Sequence, residues 1–134
     1  MNLTKMTLAA VTVALGFTLT AAADDSSKLP PASTKQGVTF DADIKPIFDA
    51  SCAKCHTEGK KPKGHLALDS LAGTLKGTKD GKVVTAGDSA HSDLVLAVAH
   101  VGDPDTFMPK GKDAKKLSDD QIGLIRAWID QGAK

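Results

Sequence analysis

A chain of 134 residues is long enough for one domain with its own core. Seventeen Lys and Arg stand against sixteen Asp and Glu, so no net basic field is present to meet the phosphates of nucleic acid. Only two Cys occur and aromatic residues make up 4%, which excludes a disulfide scaffold and leaves a thin core that a large apolar group could complete.

The first 23 residues read as a signal peptide. Lys5 and the amino terminus form a positive start, Leu8 to Leu19 an apolar run, and Ala21-Ala22-Ala23 a small-residue cleavage site before Asp24. The apolar run is short for a membrane span of about 20 residues, which favours cleavage over anchoring. No Cys lies near the cleavage site, which argues against a lipoprotein route. Residues 24–37, polar and rich in Ser and Pro, read as a flexible leader. The domain proper is expected over 38–134.

The first helix is expected over about 44–54. Ile44, Ile47, Phe48 and Cys52 follow the helical period, Pro46 suits a first turn, and Asp43 is a good N-cap. Such a helix would deliver Cys52-Ala53-Lys54-Cys55-His56 at its C-terminal end. C-x-x-C-H is the signature of c-type haem attachment. Two thiols spaced by one helical turn can form thioethers to the haem vinyl groups, and the following imidazole is then held against the iron.

Residues 57–68, rich in Gly, Pro and Lys, read as a loop over one haem edge. A short helix is expected over 69–75, capped by Asp69 or Ser70 and weakened by Gly73. Turn signals fill 77–87 around a short extended piece at Val83-Val84. A second long helix is expected over about 89–100, with Asp88 or Ser89 as cap and Leu94, Val98 and Val101 on one face. The last helix has the clearest signals. Ser118 and Gln121 form a capping box, Leu117 and Ile122 a hydrophobic staple, and Ile122, Ile125, Trp128 and Ile129 a buried stripe before Gly132.

Met108 is the one methionine beyond the signal peptide, in the proline-stiffened loop Asp103-Pro104-Asp105-Thr106-Phe107-Met108-Pro109. A thioether in a polar loop is explained by a haem pocket better than by packing, which marks Met108 as candidate sixth ligand. Its rivals are His65, His91 and His100. A bis-His site would have a lower potential than His/Met.

Several stretches together resemble the planctomycete-type cytochrome c domain. They are Asp43-Ile44-Lys45-Pro46-Ile47-Phe48, the C-x-x-C-H motif, Lys63-Gly64-His65-Leu66-Ala67-Leu68-Asp69-Ser70, Ala86-Gly87-Asp88-Ser89, Ser92-Asp93-Leu94, Met108-Pro109, and the ending from Leu117-Ser118 to Trp128-Ile129 and Gly132-Ala133. The resemblance covers roughly 38–133, and its family-specific parts are Leu-x-Leu-Asp-Ser and Trp-Ile-x-x-Gly-Ala. It implies an all-α, cytochrome c-like fold of three to five helices around one covalently bound haem c. Cys52 and Cys55 would carry the haem, with His56 as proximal and Met108 as distal iron ligand. His65 departs from the pattern, because a second glycine is usual there. The chain also stops at Lys134, where many family members continue into further domains.

The function expected is one-electron transfer in the periplasm between redox partner proteins, a membrane-bound respiratory complex among the candidates, with no small-molecule substrate and no nucleic acid. It is expected to be a carrier and not an enzyme. Lys54, Lys60, Lys61 and Lys63 could steer an acidic partner to the haem edge. The alternatives are a haem-based sensor or peroxidase-like enzyme with a labile sixth ligand, and a thiol-redox or metal module without haem.

Overall fold

The computed structural model describes residues 24–134, so the expected signal peptide over 1–23 lies outside the described residues. Four α-helices carry the fold: α1 (Lys45–Ser51), α2 (Leu71–Lys76), α3 (Asp93–Ala99) and α4 (Asp119–Asp130). Among the described residues the only β pairing is an isolated Thr78–Gly81 bridge. The all-α expectation therefore holds.

Helix α4 packs against α3 and against the turn Phe40–Ile44, and its sequence explains why it forms. Ser118 Oγ accepts from the Gln121 amide at 3.2 Å while Gln121 Oε1 accepts from the Ser118 amide at 3.0 Å, the reciprocal cap that satisfies two otherwise orphaned donors. Its apolar stripe of Ile122, Ile125, Trp128 and Ile129 is wholly buried. Trp128 packs against Phe40 with ring centroids 5.6 Å apart, and its indole N–H donates to the Lys134 carbonyl at 2.9 Å, so the ring is buried without an orphaned donor.

The first helix starts earlier than expected. A π-helical turn, Phe40–Ile44, precedes α1 directly, with Thr39 as N-cap. Thr39 Oγ1 accepts from the Ala42 amide at 3.4 Å, and Asp43, placed inside the turn, returns a carboxylate oxygen to the Thr39 amide at 3.0 Å. Thr39 and Asp43 thus share the capping role expected of Asp43 alone. Phe40 and Phe48 meet edge to face at 6.0 Å, which turns the aromatic face of this segment onto α4.

Helix α3 starts at Asp93, later than the expected 89. The residues read as its first turn are used elsewhere. Buried Ser89 donates through Oγ to Asp130 at 3.0 Å and accepts from Arg126 Nε at 3.0 Å. Buried Ser92 bridges the Thr85 amide, at 2.9 Å, and the Asp88 carbonyl, at 2.8 Å. Helix α2 is capped by Ser70 as expected. Gly73, which looked like a weakness, is required by close packing: a Cβ there would lie 2.9 Å from the Ala67 Cβ and carbonyl oxygen.

The expectation of a flexible leader over 24–37 is corrected. Leu29 is buried, the Arg126 guanidinium donates to the Pro30 carbonyl, and the Ser33 amide donates to the Gly123 carbonyl at 2.8 Å. Gln131 Nε2 donates to the Lys35 carbonyl at 2.8 Å while its Oε1 accepts from the Val38 amide at 3.2 Å. Polar composition concealed this strap because its attachment runs through backbone groups met by α4 side chains. Gly123 permits the approach, since a Cβ there would come within 2.8 Å of the Pro31 carbonyl.

Candidate haem-attachment site

Helix α1 ends at Ser51, with Cys52 as its C-cap, so the motif follows the helix instead of occupying its last turn as expected. It still forms a closed turn. The amides of Cys55 and His56 both donate to the Cys52 carbonyl, at 3.1 and 3.0 Å. Cys52 is half-buried, Cys55 exposed, and both thiols are free. Burial pushes the Cys52 thiol up to about 11. A dithiol redox motif works by lowering a cysteine pKa to make thiolate available, the opposite of the direction at Cys52.

His56 is held twice by one strand of chain. Its Nδ1 donates to the Leu66 carbonyl at 3.0 Å, and its own carbonyl accepts from the Leu68 amide at 2.7 Å. A carbonyl can only accept, so Nδ1 carries the proton and Nε2 keeps the lone pair, the arrangement by which ligating histidines are oriented toward a metal. The segment Leu66-Ala67-Leu68-Asp69-Ser70 follows from this geometry. Leu66 and Leu68 fix His56, an Asp69 oxygen accepts from the Glu58 amide at 3.0 Å, and Ser70 caps α2. The loop is pinned at the other end by the Lys63 amide on the Cys55 carbonyl at 3.0 Å.

Met108 stands on a separate arm. It is half-buried, and both it and Cys52 pack against the same core cluster. Its amide donates to the Ala97 carbonyl and its carbonyl accepts from His100 Nε2, each at 3.0 Å. Of the rival histidines, two are otherwise engaged. His65 is exposed. His91 is exposed and its Nδ1 is bonded to Asp88, whose hydrogen bond and negative charge raise its pKa. His100 holds the Met108 backbone. Sequence reasoning missed that role, since nothing in residue spacing shows which way the ring turns.

The residues fit a c-type haem. One turn offers two free thiols, the adjoining imidazole has its Nδ1 engaged so that Nε2 is left for ligation, and a half-buried thioether packs against the same core from a separate loop. Cys52, Leu71, Leu75, Val83, Leu96 and Met108 are only partly covered at the margin of that core, apolar surface that a large apolar group would bury. Among the described residues no three His, Cys, Asp or Glu side chains gather in a way that could hold a metal ion. No helix among them is long and apolar enough to cross a membrane.

A helical domain with a C-x-x-C-H turn at the end of its first helix carries the sequence signature of covalent haem attachment. A family model described as planctomycete cytochrome C matches residues 52–111. Over that span the chain is similar to a planctomycete-type cytochrome c domain, a family that suggests haem-based electron transfer and implies haem c as cofactor. The matched span contains the attachment turn, the Leu66–Ser70 segment and Met108; the Phe40 segment and α4 lie outside it. No curated protein and no solved structure matches the chain.

Proposed function

We propose that this protein is a periplasmic monohaem c-type cytochrome that carries single electrons between redox partner proteins. Haem c would be joined to Cys52 and Cys55, with the iron held by His56 Nε2 and the Met108 thioether. The observation that carries the reading is the His56 Nδ1 bond to Leu66, which commits Nε2 to an acceptor role within a C-x-x-C-H turn. When bound, haem supplies a reversible Fe(III)/Fe(II) couple.

The remaining work falls to the chain. Cys52 and Cys55 fix the position of the group, His56 is oriented by the Leu66 carbonyl, and a thioether from Met108 favours the reduced state. Two protein ligands leave no coordination position for a substrate, which supports a carrier over an enzyme. Lys54, Lys60, Lys61 and Lys63 are all exposed beside exposed Cys55, a distribution suited to a weak, electrostatically steered contact with an acidic partner.

Absorption spectra of the exported, purified protein test this reading. The expected result is a low-spin c-type spectrum with a weak far-red sulfur-to-iron band, unmoved by CO and abolished in Met108→Ala. A high-spin or CO-binding spectrum would instead identify a sensor or peroxidase-like protein. Absence of haem after expression with a working maturation system would remove the cytochrome reading.

A further inference from the structure

Helix α3 ends in a way that its sequence does not explain by itself. The Val101 amide donates to the Leu96 carbonyl at 3.0 Å and the His100 amide to the Ala97 carbonyl at 3.3 Å, the paired closure in which a left-handed residue, usually glycine, ends a helix. Here that residue is His100, at φ 56° and ψ 47°. A histidine in this conformation carries backbone strain that glycine would not. What the side chain offers in return is visible. Its ring stacks on Phe107 at a centroid distance of 4.8 Å and 6° between planes, and Nε2–H reaches the Met108 carbonyl at 3.0 Å.

The two contacts act on neighbouring residues of one loop. The Ala97 carbonyl that closes α3 also receives the Met108 amide at 3.0 Å, so both backbone polar groups of Met108 are tied to the end of α3. Between them, residues 102–106 make an exposed excursion. It is kept tight by Asp103, whose side chain accepts from the Asp105 amide at 2.9 Å. Without the imidazole, the Ala97 bond would be the one hydrogen bond left between the Met108 backbone and the end of α3.

We propose that His100 is the positioning residue for the sixth iron ligand: its bond to the Met108 carbonyl and its stack on Phe107 hold the Met108 arm against the end of α3. The inference rests on the His56/Met108 ligation proposed above.

The test uses the haem-loaded full chain and the His100→Gly variant. Glycine relieves the strained backbone and keeps the helix closure, so the variant isolates the ring. Guanidinium titration is followed by two signals, the far-red sulfur-to-iron band and the helical circular dichroism. The expected result is that the band is lost well ahead of the helical signal in His100→Gly. The population with Met108 detached should rise on the order of fivefold, the size of one lost hydrogen bond. Phe107→Leu removes the stack and keeps the bond, so it should shift the band in the same direction by less; it also carries the test if the glycine variant fails to fold. Band and helical signals separated in both variants as in the parent would overturn the inference while leaving the ligation standing. A parent protein with no far-red band would overturn the His/Met reading itself.

Discussion

The frame and the site arms of this domain are held by different forces. In the frame, the Phe40–Ile44 turn, α1 and α4 bury Phe40, Ile44, Phe48, Ile122, Ile125, Trp128 and Ile129 to 2% exposure or less, and area removed from water does the work. In the arms around Cys52–His56 and Met108, the site residues are half-buried or exposed. There the chain is kept in place by single directional bonds, such as His56 to Leu66 and His100 to Met108, and by turns with positive φ. A frame built by area tolerates small displacements, whereas an arm built by directed bonds loses its geometry when one partner goes. The division suits the proposed haem, which would add apolar contact to the arms where they now have least.

The largest effect should come from the frame. Trp128→Ala removes a wholly buried ring from against Phe40 and leaves the Lys134 carbonyl without its indole donor. Truncations of this kind cost about 3–5 kcal/mol. Guanidinium unfolding should show frame and arms lost in one transition at a much lower midpoint. An arm that survives the loss of α4 would break the comparison.

An arm substitution should act locally. Gly77 closes α2 at φ 83°, and a Cβ there would meet the Gly81 carbonyl and lie 2.7 Å from the Lys82 Cα. No rotamer relieves a backbone overlap, so Gly77→Ala must shift the 77–82 turn and strain the Lys79 amide away from the Gly64 carbonyl, now 3.4 Å distant. The expected cost is about 2 kcal/mol or more. Hydrogen exchange should quicken at Thr78 and Lys79 while the amides of α4 keep their protection. Equal loss of protection in both places would mean that frame and arm are one cooperative unit.

The same division explains what could be read in the sequence. The frame was legible because burial by area leaves a periodic trace: the α4 stripe, its Ser118 cap and the apolar positions of α1 all emerge from residue spacing. The attachment turn was legible because its chemistry requires fixed residue types at fixed spacing. The start of α3 was misplaced because Ser89 is engaged by Asp130 and Arg126 of a helix far along the chain. The leader was misjudged for a related reason, since Arg126 and Gln131 bind its backbone and so leave no mark on its composition. The role of His100 depends on a ring direction that spacing does not encode.

The smallest expected effect concerns the departure at His65. The resemblance places a second glycine there, and the backbone shows why: Gly64 lies at φ 65° and His65 at φ 60°. The loop thus keeps the left-handed path that glycine would follow, and the imidazole is exposed, with no side-chain hydrogen bond among the described residues. Left-handed strain for a non-glycine residue is about 1–2 kcal/mol, and glycine gives back roughly 0.5–1 kcal/mol in unfolded-state entropy. His65→Gly should therefore stabilise the domain by about 0.5–1 kcal/mol in thermal unfolding, with the haem spectrum unchanged. A loss of stability would show that the imidazole makes a contact that outweighs its backbone strain. A changed spectrum would place His65 among the groups that tune the iron, and the boundary between loop and site would then move outward to include it.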